Sequence, residues 1–210
     1  MNPAQRMGLF GGAFDPPHSA HVALAQAAVA QLRLDRLYVV PTGHAWHKTR
    51  ELTPAAHRLA MAHLAFGRIG EVVVDDRELH RAGPSYTLDT LRQLQSENPG
   101  ALWFLLVGQD HARTFDRWHG WPEILQRASL VVAQRSLSGC DGAEALQAQA
   151  MPSAQAGPAP AVPAQQLKFV AMDISATQIR NKIASGLATP SDLDPAVASY
   201  IAQHHLYQSA

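Results

Sequence analysis

The sequence predicts an α/β protein with a doubly wound, parallel sheet and helices on both faces. Short apolar runs alternate with stretches of helical length, and the run at 102–107 is uniformly apolar, as in a strand buried on both faces. Strands separated by helices of about ten to fifteen residues favour parallel pairing. At 210 residues the chain is long enough for one sizeable core, so we expect a single domain over residues 1–210.

The first half of the chain alternates three predicted strands with three predicted helices. The strands are expected at 7–10, 36–40 and 71–74, and the helices at 18–32, 53–66 and 88–96. Pro41 ends the second strand because proline cannot continue a central ladder. Thr53 and Pro54 are expected to open the second helix, with a capping hydroxyl and a proline in the first turn.

The second half continues this alternation around a change of composition. Strands are expected at 102–107 and 130–133, with a short helix at 121–125. Between about 136 and 166 the chain turns to Ala, Gln, Pro, Gly and Ser, which predicts a mobile surface insert. A last strand is expected at 167–172. A C-terminal helical segment over about 174–207 then holds helices at 177–185 and 195–204.

The composition limits the partners and the location of the protein. The formal net charge is zero, so nothing draws the chain broadly to nucleic acid or to a membrane surface. No apolar run approaches the roughly 20 residues that cross a bilayer, and the first residues lack the pattern of a signal peptide. The single cysteine, Cys140, fits a reducing compartment. We expect a soluble cytoplasmic protein, and the sequence leaves open whether it forms a homo-oligomer.

The segment at 8–21 carries the strongest functional signal. An apolar strand runs into the turn Gly11-Gly12, and a new helix then begins with His18 and His21. Glycines let the backbone approach a ligand closely, and the first turn of a helix offers unpaired N–H groups to an anion. Residues three apart share one helix face, so the two imidazoles lie together. This pattern predicts a site for the phosphates of a nucleotide.

Polar residues follow several predicted strands at their carboxyl ends, where open parallel sheets bind ligands. Arginine forms charge-assisted, bidentate bonds with phosphate, and a serine or threonine at a helix start caps the free N–H groups. In strand order the residues are His18 and His21, then His47 and Lys48, then Thr87, then Gly108 and Asp110, and last Ser175, Thr177 and Arg180.

Each of these residues also has a simpler interpretation. His18 and Asp110 could cap helices, Lys48 and Arg180 could be solvated charges, and Trp118 could be a core or lid aromatic. The two histidines could bind a metal, but no carboxylate or cysteine completes such a site nearby. The glycine spacing fails the G-x-G-x-x-G pattern of redox dinucleotide-binding proteins, and no acidic residue ends the second strand.

The order of motifs resembles the bacterial nicotinate mononucleotide adenylyltransferases of the nucleotidyltransferase superfamily. The segments at 8–21 and 174–180, with H-x-G-H-like and I-S-x-T-x-I-R patterns, mark the superfamily. The block G-P-S-Y-T-x-D-T within 78–91 and the W-x-x-W spacing within 107–124 point to its pyridine-mononucleotide branch. The resemblance covers nearly the whole chain and implies a Rossmann-like fold.

The resemblance implies a reaction and the residues that carry it. The phosphate of nicotinate mononucleotide would attack the α-phosphorus of ATP, giving nicotinate adenine dinucleotide and pyrophosphate for NAD biosynthesis, with Mg²⁺ bound mainly through the ATP phosphates. Catalytic roles would fall to His18, His21, Lys48 and Arg180. The ATP site would comprise Gly11, Gly12, Phe14, His18, His21, Gly108, Asp110, Ser175, Thr177 and Arg180. The mononucleotide site would comprise His47, Lys48, Thr87, Asp110 and Trp118.

This chain departs from the family pattern at three places. Ala13 stands where threonine is common, and Ala20 stands where the signature has glycine. The loop at 45–48 lacks the prolines that often precede the His-Lys pair. Two other functions therefore stay open: adenylyl transfer to nicotinamide mononucleotide or another phosphorylated acceptor, and a non-catalytic nucleotide-sensing module.

Overall fold

The computed structural model describes residues 3–44, 51–136, 165–170, 172, 174–187 and 192–208. None of the helices in these ranges is both long and apolar enough to cross a membrane. In chain order the elements are β1 (Arg6–Gly12), α1 (Ser19–Leu32), β2 (Arg36–Pro41), α2 (Ala55–Phe66), β3 (Val72–Val74), α3 (Thr87–Glu97), β4 (Leu102–Gly108), α4 (Gln109–Ala112), a 3₁₀ turn (Phe115–Arg117), α5 (Trp121–Arg127), β5 (Ser129–Ser136), β6 (Gln165–Val170), α6 (Ala176–Ala184) and α7 (Pro195–Gln203).

The six described strands form one parallel sheet in the order β3-β2-β1-β4-β5-β6. The chain builds outward from β1 to β3 and then returns to place β4 on the other side of β1. The strand order therefore reverses between β1 and β4, and such a switch point opens a crevice beyond the carboxyl ends of the strands. The predicted doubly wound α/β class is confirmed.

The sheet separates two apolar layers, and β4 contributes side chains to both. Phe104 and Leu106 belong to the layer that α1, α2, α6 and α7 cover. Trp103, Leu105 and Val107 belong to the layer that α3 and α5 cover. All five side chains are at most 4% exposed, and their alternation follows from the two-residue period of a strand. The prediction of a strand buried on both faces is confirmed.

The predicted start of the second helix is wrong. α2 begins at Ala55 with Pro54 at its N-cap, and no side chain caps it. Thr53 is engaged elsewhere: its N–H donates to Asp15 and its carbonyl accepts a bond from Arg58. Tertiary hydrogen bonds rather than a capping hydroxyl therefore fix the entry into this helix.

The predicted edges of the insert are also wrong. Ser136 ends β5, while Gln165 and Gln166 begin β6 and pair with Val131 and Val132. Composition misses these residues because ladder hydrogen bonds come from the backbone and do not require apolar side chains. β3 is one residue shorter than predicted, and neither α4 nor the 3₁₀ turn is predicted by the sequence. The rest of the predicted insert, 137–164, lies outside the described residues.

Replacing residues 137–164 with a Gly/Ser connector of about 15 residues is expected to leave turnover and the thermal midpoint little changed. β5 and β6 are parallel, so the connector must cross back over the sheet, which takes a dozen or more residues. Beyond that minimum, loop length affects stability only weakly. Thermal unfolding and a turnover assay check this. Loss of folding or of activity in the shortened chain would instead assign a structural or binding role to the replaced segment.

Candidate active site

An aromatic ring anchors the loop that joins β1 to α1. Phe14 adopts a left-handed φ of 47°, and its ring is 1% exposed, packed edge-on against Phe10 and Phe66 at 5.4 Å. A side chain at Gly12 would meet that ring at 3.0 Å, so it would fit only if the buried ring shifted by a few tenths of an ångström. A side chain at Gly11 would meet only open space. Glycine at that position therefore leaves room for a ligand close to the backbone.

His18 and His21 stack on each other at the start of α1. Their ring centroids are 3.7 Å apart and their planes differ by 28°. His18 is the N-cap residue, and its backbone N–H donates to Nδ1 of His21 at 3.3 Å. An Nδ1 that accepts leaves the ring hydrogen of His21 on Nε2, the atom that can donate to a phosphate oxygen.

Burial determines the charge of His18. The residue is 6% exposed, and among the described residues its Nδ1 has no hydrogen-bond partner. Burial lowers the pKa of His18 to about 4, and the nearby carboxylate of Asp192 offsets this only in part. The unliganded protein therefore holds a neutral His18 at pH 7. A buried polar atom without a partner is a place where a ligand can supply the missing bond.

The last predicted motif reaches the same loop from α6. Ser175 caps this helix, since its Oγ accepts the N–H of Gln178 at 3.2 Å. Nη1 of Arg180 donates to the carbonyl of Asp15 at 2.8 Å, and Nη2 donates to Oγ1 of Thr177 at 3.0 Å. The structure thus joins Arg180 to the loop between Gly12 and His18, as the sequence predicts.

Arg58 is a buried cation that sequence reasoning missed. It lies on α2 and is 2% exposed. Its guanidinium donates to the carbonyls of Thr53 at 2.9 Å, Ala13 at 3.0 Å and Thr42 at 2.8 Å. These bonds tie the loop after β1, the loop after β2 and the start of α2 to one group. The available signal is a charged residue directly before the apolar run 59–62.

A second group of predicted residues lies on the other face of the sheet. Thr87 is the first residue of α3, and the ring of Tyr86 stacks on that of His119 at 4.3 Å. Trp118 packs against Phe115 at 5.2 Å. The start of α3 and the loop before α5 therefore form one wall.

Gly120 makes the close packing of this wall possible. Its φ is 65°, and a side chain there would come within 2.3 Å of Leu88. Both the positive φ and the lack of space favour glycine at this position, because other residues rarely adopt this conformation and their side chains would overlap Leu88.

Glu78 connects this wall to the loop after β2. It is 7% exposed and accepts the hydroxyl of Thr90 at 2.6 Å. Burial raises the pKa of Glu78, while bonds from Thr90, from the backbone of Gly43 and from Ser85 oppose that rise. A side chain at Gly43 would overlap the Glu78 carbonyl at 2.0 Å. The family motif within 78–91 includes Glu78, but the sequence alone predicts no role for it. The structure shows that it holds two loops together.

The other residues predicted for the site lie after β4, in the core or outside the described residues. Gly108 ends β4 and is the N-cap of α4, and Asp110 lies exposed in the first turn of that helix. The ring of Phe14 is buried in the core, so its predicted contact with ATP is limited to its backbone. His47 and Lys48 lie outside the described residues, and their roles stay predictions.

Comparison with known proteins identifies the family to which this chain belongs. The cytidylyltransferase-like family model matches residues 9–182. A protein of Albidiferax ferrireducens named "Probable nicotinate-nucleotide adenylyltransferase" is 50% identical over 206 residues, covering 98% of this chain and 100% of the relative. A protein of the same name from Methylibium petroleiphilum is 40% identical over 219 residues, covering 98% of this chain and 94% of the relative. The chain therefore belongs to the nicotinate-nucleotide adenylyltransferase family.

A solved structure has the same fold. Plasmodium falciparum nicotinic acid mononucleotide adenylyltransferase complexed with NaAD superposes with a TM-score of 0.70 and covers 97% of each chain. The two sequences are 16% identical, so this likeness supports the architecture alone.

Proposed function

We propose that this protein transfers the adenylyl group of ATP to nicotinate mononucleotide, giving nicotinate adenine dinucleotide and pyrophosphate in NAD biosynthesis. The observation that carries the proposal is the convergence of three donors on one loop. His18 and His21 stack at the start of α1, and Arg180 reaches the same loop from α6. Imidazole and guanidinium groups beside a helix start are suited to a polyphosphate. The relative that is 50% identical carries the name of this activity.

The chemistry requires alignment more than proton transfer. An oxygen of the mononucleotide phosphate bonds to the α-phosphorus of ATP as the bond from that phosphorus to the bridging β-oxygen breaks. The attacking phosphate is already an anion, so no side chain has to remove a proton. The protein must hold two anions together and stabilise the charge on the departing pyrophosphate. Nε2 of His21 and the guanidinium of Arg180 can donate to those phosphate oxygens.

Mg²⁺ and Lys48 are proposed to complete the charge balance. Within the described ranges, no three His, Cys, Asp or Glu side chains are grouped so as to hold a metal ion. Mg²⁺ is proposed to bind mainly through the ATP phosphates, with few protein ligands, as it commonly does with nucleotides. When bound, Mg²⁺ neutralises part of the phosphate charge. Lys48, which follows β2 in the sequence, is proposed to add a cation near the same phosphates.

The pyridine ring is proposed to bind at the wall formed by α3 and the loop before α5. Trp118 offers an aromatic face to the ring. Thr87 opens α3, so its N–H lies in a first helical turn that has no carbonyl to pair with. No Arg or Lys occurs within 83–87 or 118–121. Backbone N–H groups near Thr87 and His119 are therefore proposed to bind the nicotinate carboxylate.

This arrangement predicts a preference for the acid over the amide. The kcat/KM for nicotinate mononucleotide is expected to exceed that for nicotinamide mononucleotide at least about tenfold, because an amide NH₂ would leave backbone donors unpaired. Trp118→Ala should weaken both acceptors together. Arg117→Ala, which removes the neighbouring exposed cation, should keep the preference. Equal kcat/KM for the two acceptors would contradict this assignment and support an adenylyltransferase that also acts on nicotinamide mononucleotide.

Turnover with a panel of acceptors tests the proposed function. Purified protein is incubated with ATP, Mg²⁺ and either nicotinate mononucleotide, nicotinamide mononucleotide, another phosphorylated acceptor or none. We expect pyrophosphate and dinucleotide in equal amounts with the first acceptor and neither product without an acceptor. Binding of ATP without turnover on any acceptor would overturn the proposal and support a nucleotide-sensing module.

A further inference from the structure

The chain reverses direction directly after α7. His205 adopts a left-handed φ of 51°. The N–H of Leu206 donates to the carbonyl of Ile201 at 3.0 Å, and the N–H of His205 donates to that of Ala202 at 3.3 Å. This pair of bonds is a Schellman motif, which ends a helix and turns the chain back. Glycine usually occupies this left-handed position, and at His205 the packing of Leu206 and Tyr207 against the core favours the turn instead.

The residues after the turn pack against the core and the nucleotide loop. Leu206 and Tyr207 contact the apolar layer that contains Phe14. The hydroxyl of Tyr207 donates to Oδ1 of Asp15 at 2.7 Å. Burial and this bond to Asp15 raise the pKa of Tyr207, so its hydroxyl keeps its hydrogen at neutral pH. A residue near the end of the chain is thus bonded to the loop between β1 and α1.

Asp15 connects this hydroxyl to Arg180. Asp15 is 3% exposed, and its Oδ2 accepts the N–H of Thr53 at 3.4 Å. Its backbone carbonyl accepts Nη1 of Arg180 at 2.8 Å. The carboxylate is therefore held by Tyr207 and by Thr53. The bonds to the side chain of Asp15 and the bond from its carbonyl to Arg180 therefore meet at one residue.

We propose that Tyr207 is a positioning residue of the ATP site: it fixes Asp15, and through the carbonyl of Asp15 it fixes the guanidinium of Arg180 against the phosphates of ATP. The inference rests on the proposed function only for the role of Arg180 in binding ATP. No motif in the sequence marks Tyr207.

Tyr207→Phe removes one oxygen and keeps the ring that packs on the core. The carboxylate of Asp15 then loses a donor. Asp15 is held less firmly, and so is the guanidinium of Arg180 that its carbonyl binds. We expect the Kd and the KM for ATP to rise about tenfold, since hydrogen bonds to charged groups are worth this much. We expect kcat to change less than about threefold and the KM for the acceptor to stay the same. A merely structural role would lower kcat through the fraction of active protein and leave the KM for ATP unchanged.

Calorimetric titration of ATP without acceptor is the deciding measurement, because it needs no acceptor and its stoichiometry reports the fraction of protein able to bind, which separates lost folding from a raised Kd. Tyr200→Phe is the matched control. It also removes a hydroxyl, which lies 3.0 Å from Nδ1 of His57 rather than on the nucleotide loop, and it should keep Kd within about twofold.

A Kd for Tyr207→Phe within about twofold of the unaltered protein would overturn the inference. If the unaltered protein binds ATP but does not modify nicotinate mononucleotide, the proposed function fails and the comparison of Kd values still decides the role of Tyr207. Absence of ATP binding by the unaltered protein overturns both.

Discussion

Alanine in place of His21 is expected to lower kcat by roughly 100-fold or more, and alanine in place of His18 should do the same. Removing one preorganised donor from a site that stabilises developing charge has an effect of this size. The two rings stack at 3.7 Å, and a backbone bond orients His21, so each side chain supports the position of the other. Folding should be affected far less than turnover, although the ring of His21 also packs edge-on against the buried ring of Phe14 at 5.3 Å and that contact is lost. Steady-state kinetics at saturating ATP and acceptor measure the loss.

His63→Ala is the matched control for the two histidine variants. His63 lies exposed in the last turn of α2 and should keep the turnover of the unaltered protein. Thermal unfolding of all three variants separates lost chemistry from lost folding. Turnover near that of the unaltered protein in both His18→Ala and His21→Ala would show that the stacked pair does not act on the phosphates.

Replacing Arg58 with methionine is expected to lower the free energy of unfolding by about 3 kcal/mol or more. Methionine keeps much of the volume and removes the donors from the carbonyls of Thr53, Ala13 and Thr42. The three bonds are part-buried, and an acceptor left without a partner in such a place costs about 1 kcal/mol or more. Relief from burying a charge offsets part of this cost, but the three carbonyls remain. For a chain of this size the thermal midpoint should fall by about 6–12 °C.

Arg68→Met controls for loss of a positive charge in the same region. The Arg68 side chain is 80% exposed and approaches Asp194 only at 3.9 Å, so its replacement should change the free energy of unfolding by less than about 0.5 kcal/mol. Denaturant unfolding of the two variants compares them directly. Equal stability of Arg58→Met and Arg68→Met would show that the three carbonyls do not depend on the buried guanidinium.

The sequence predicts most of the sheet because most of its strands contain a short apolar run. The uniformly apolar run Trp103–Val107 predicts a strand buried on both faces. The glycine turn before His18 predicts the start of α1 at that residue. The entry to α2 and the ends of β5 and β6 are mispredicted, since tertiary bonds at Thr53 and backbone pairing at Gln165 decide them. Neither the hydrogen bonds at Thr53 nor the pairing at Gln165 leaves a pattern in the local composition.

The sequence indicates the candidate site residues that belong to motifs, but it does not indicate the residues that hold them from distant parts of the chain. His18, His21 and Arg180 belong to motifs, and the structure joins them to one loop. Arg58 and Tyr207 act on that loop from distant parts of the chain. Contacts between residues 192 positions apart, such as Asp15 with Tyr207, follow only from the folded topology.

The fate of labelled phosphorus tests the central claim most directly. The protein is incubated with nicotinate mononucleotide and Mg²⁺, once with ATP labelled at the α-phosphorus and once with ATP labelled at the γ-phosphorus. Adenylyl transfer predicts that the α label appears in the dinucleotide and the γ label in pyrophosphate. Transfer of the γ label to the acceptor, with the α label left in ADP, would contradict adenylyl transfer as the reaction of this site.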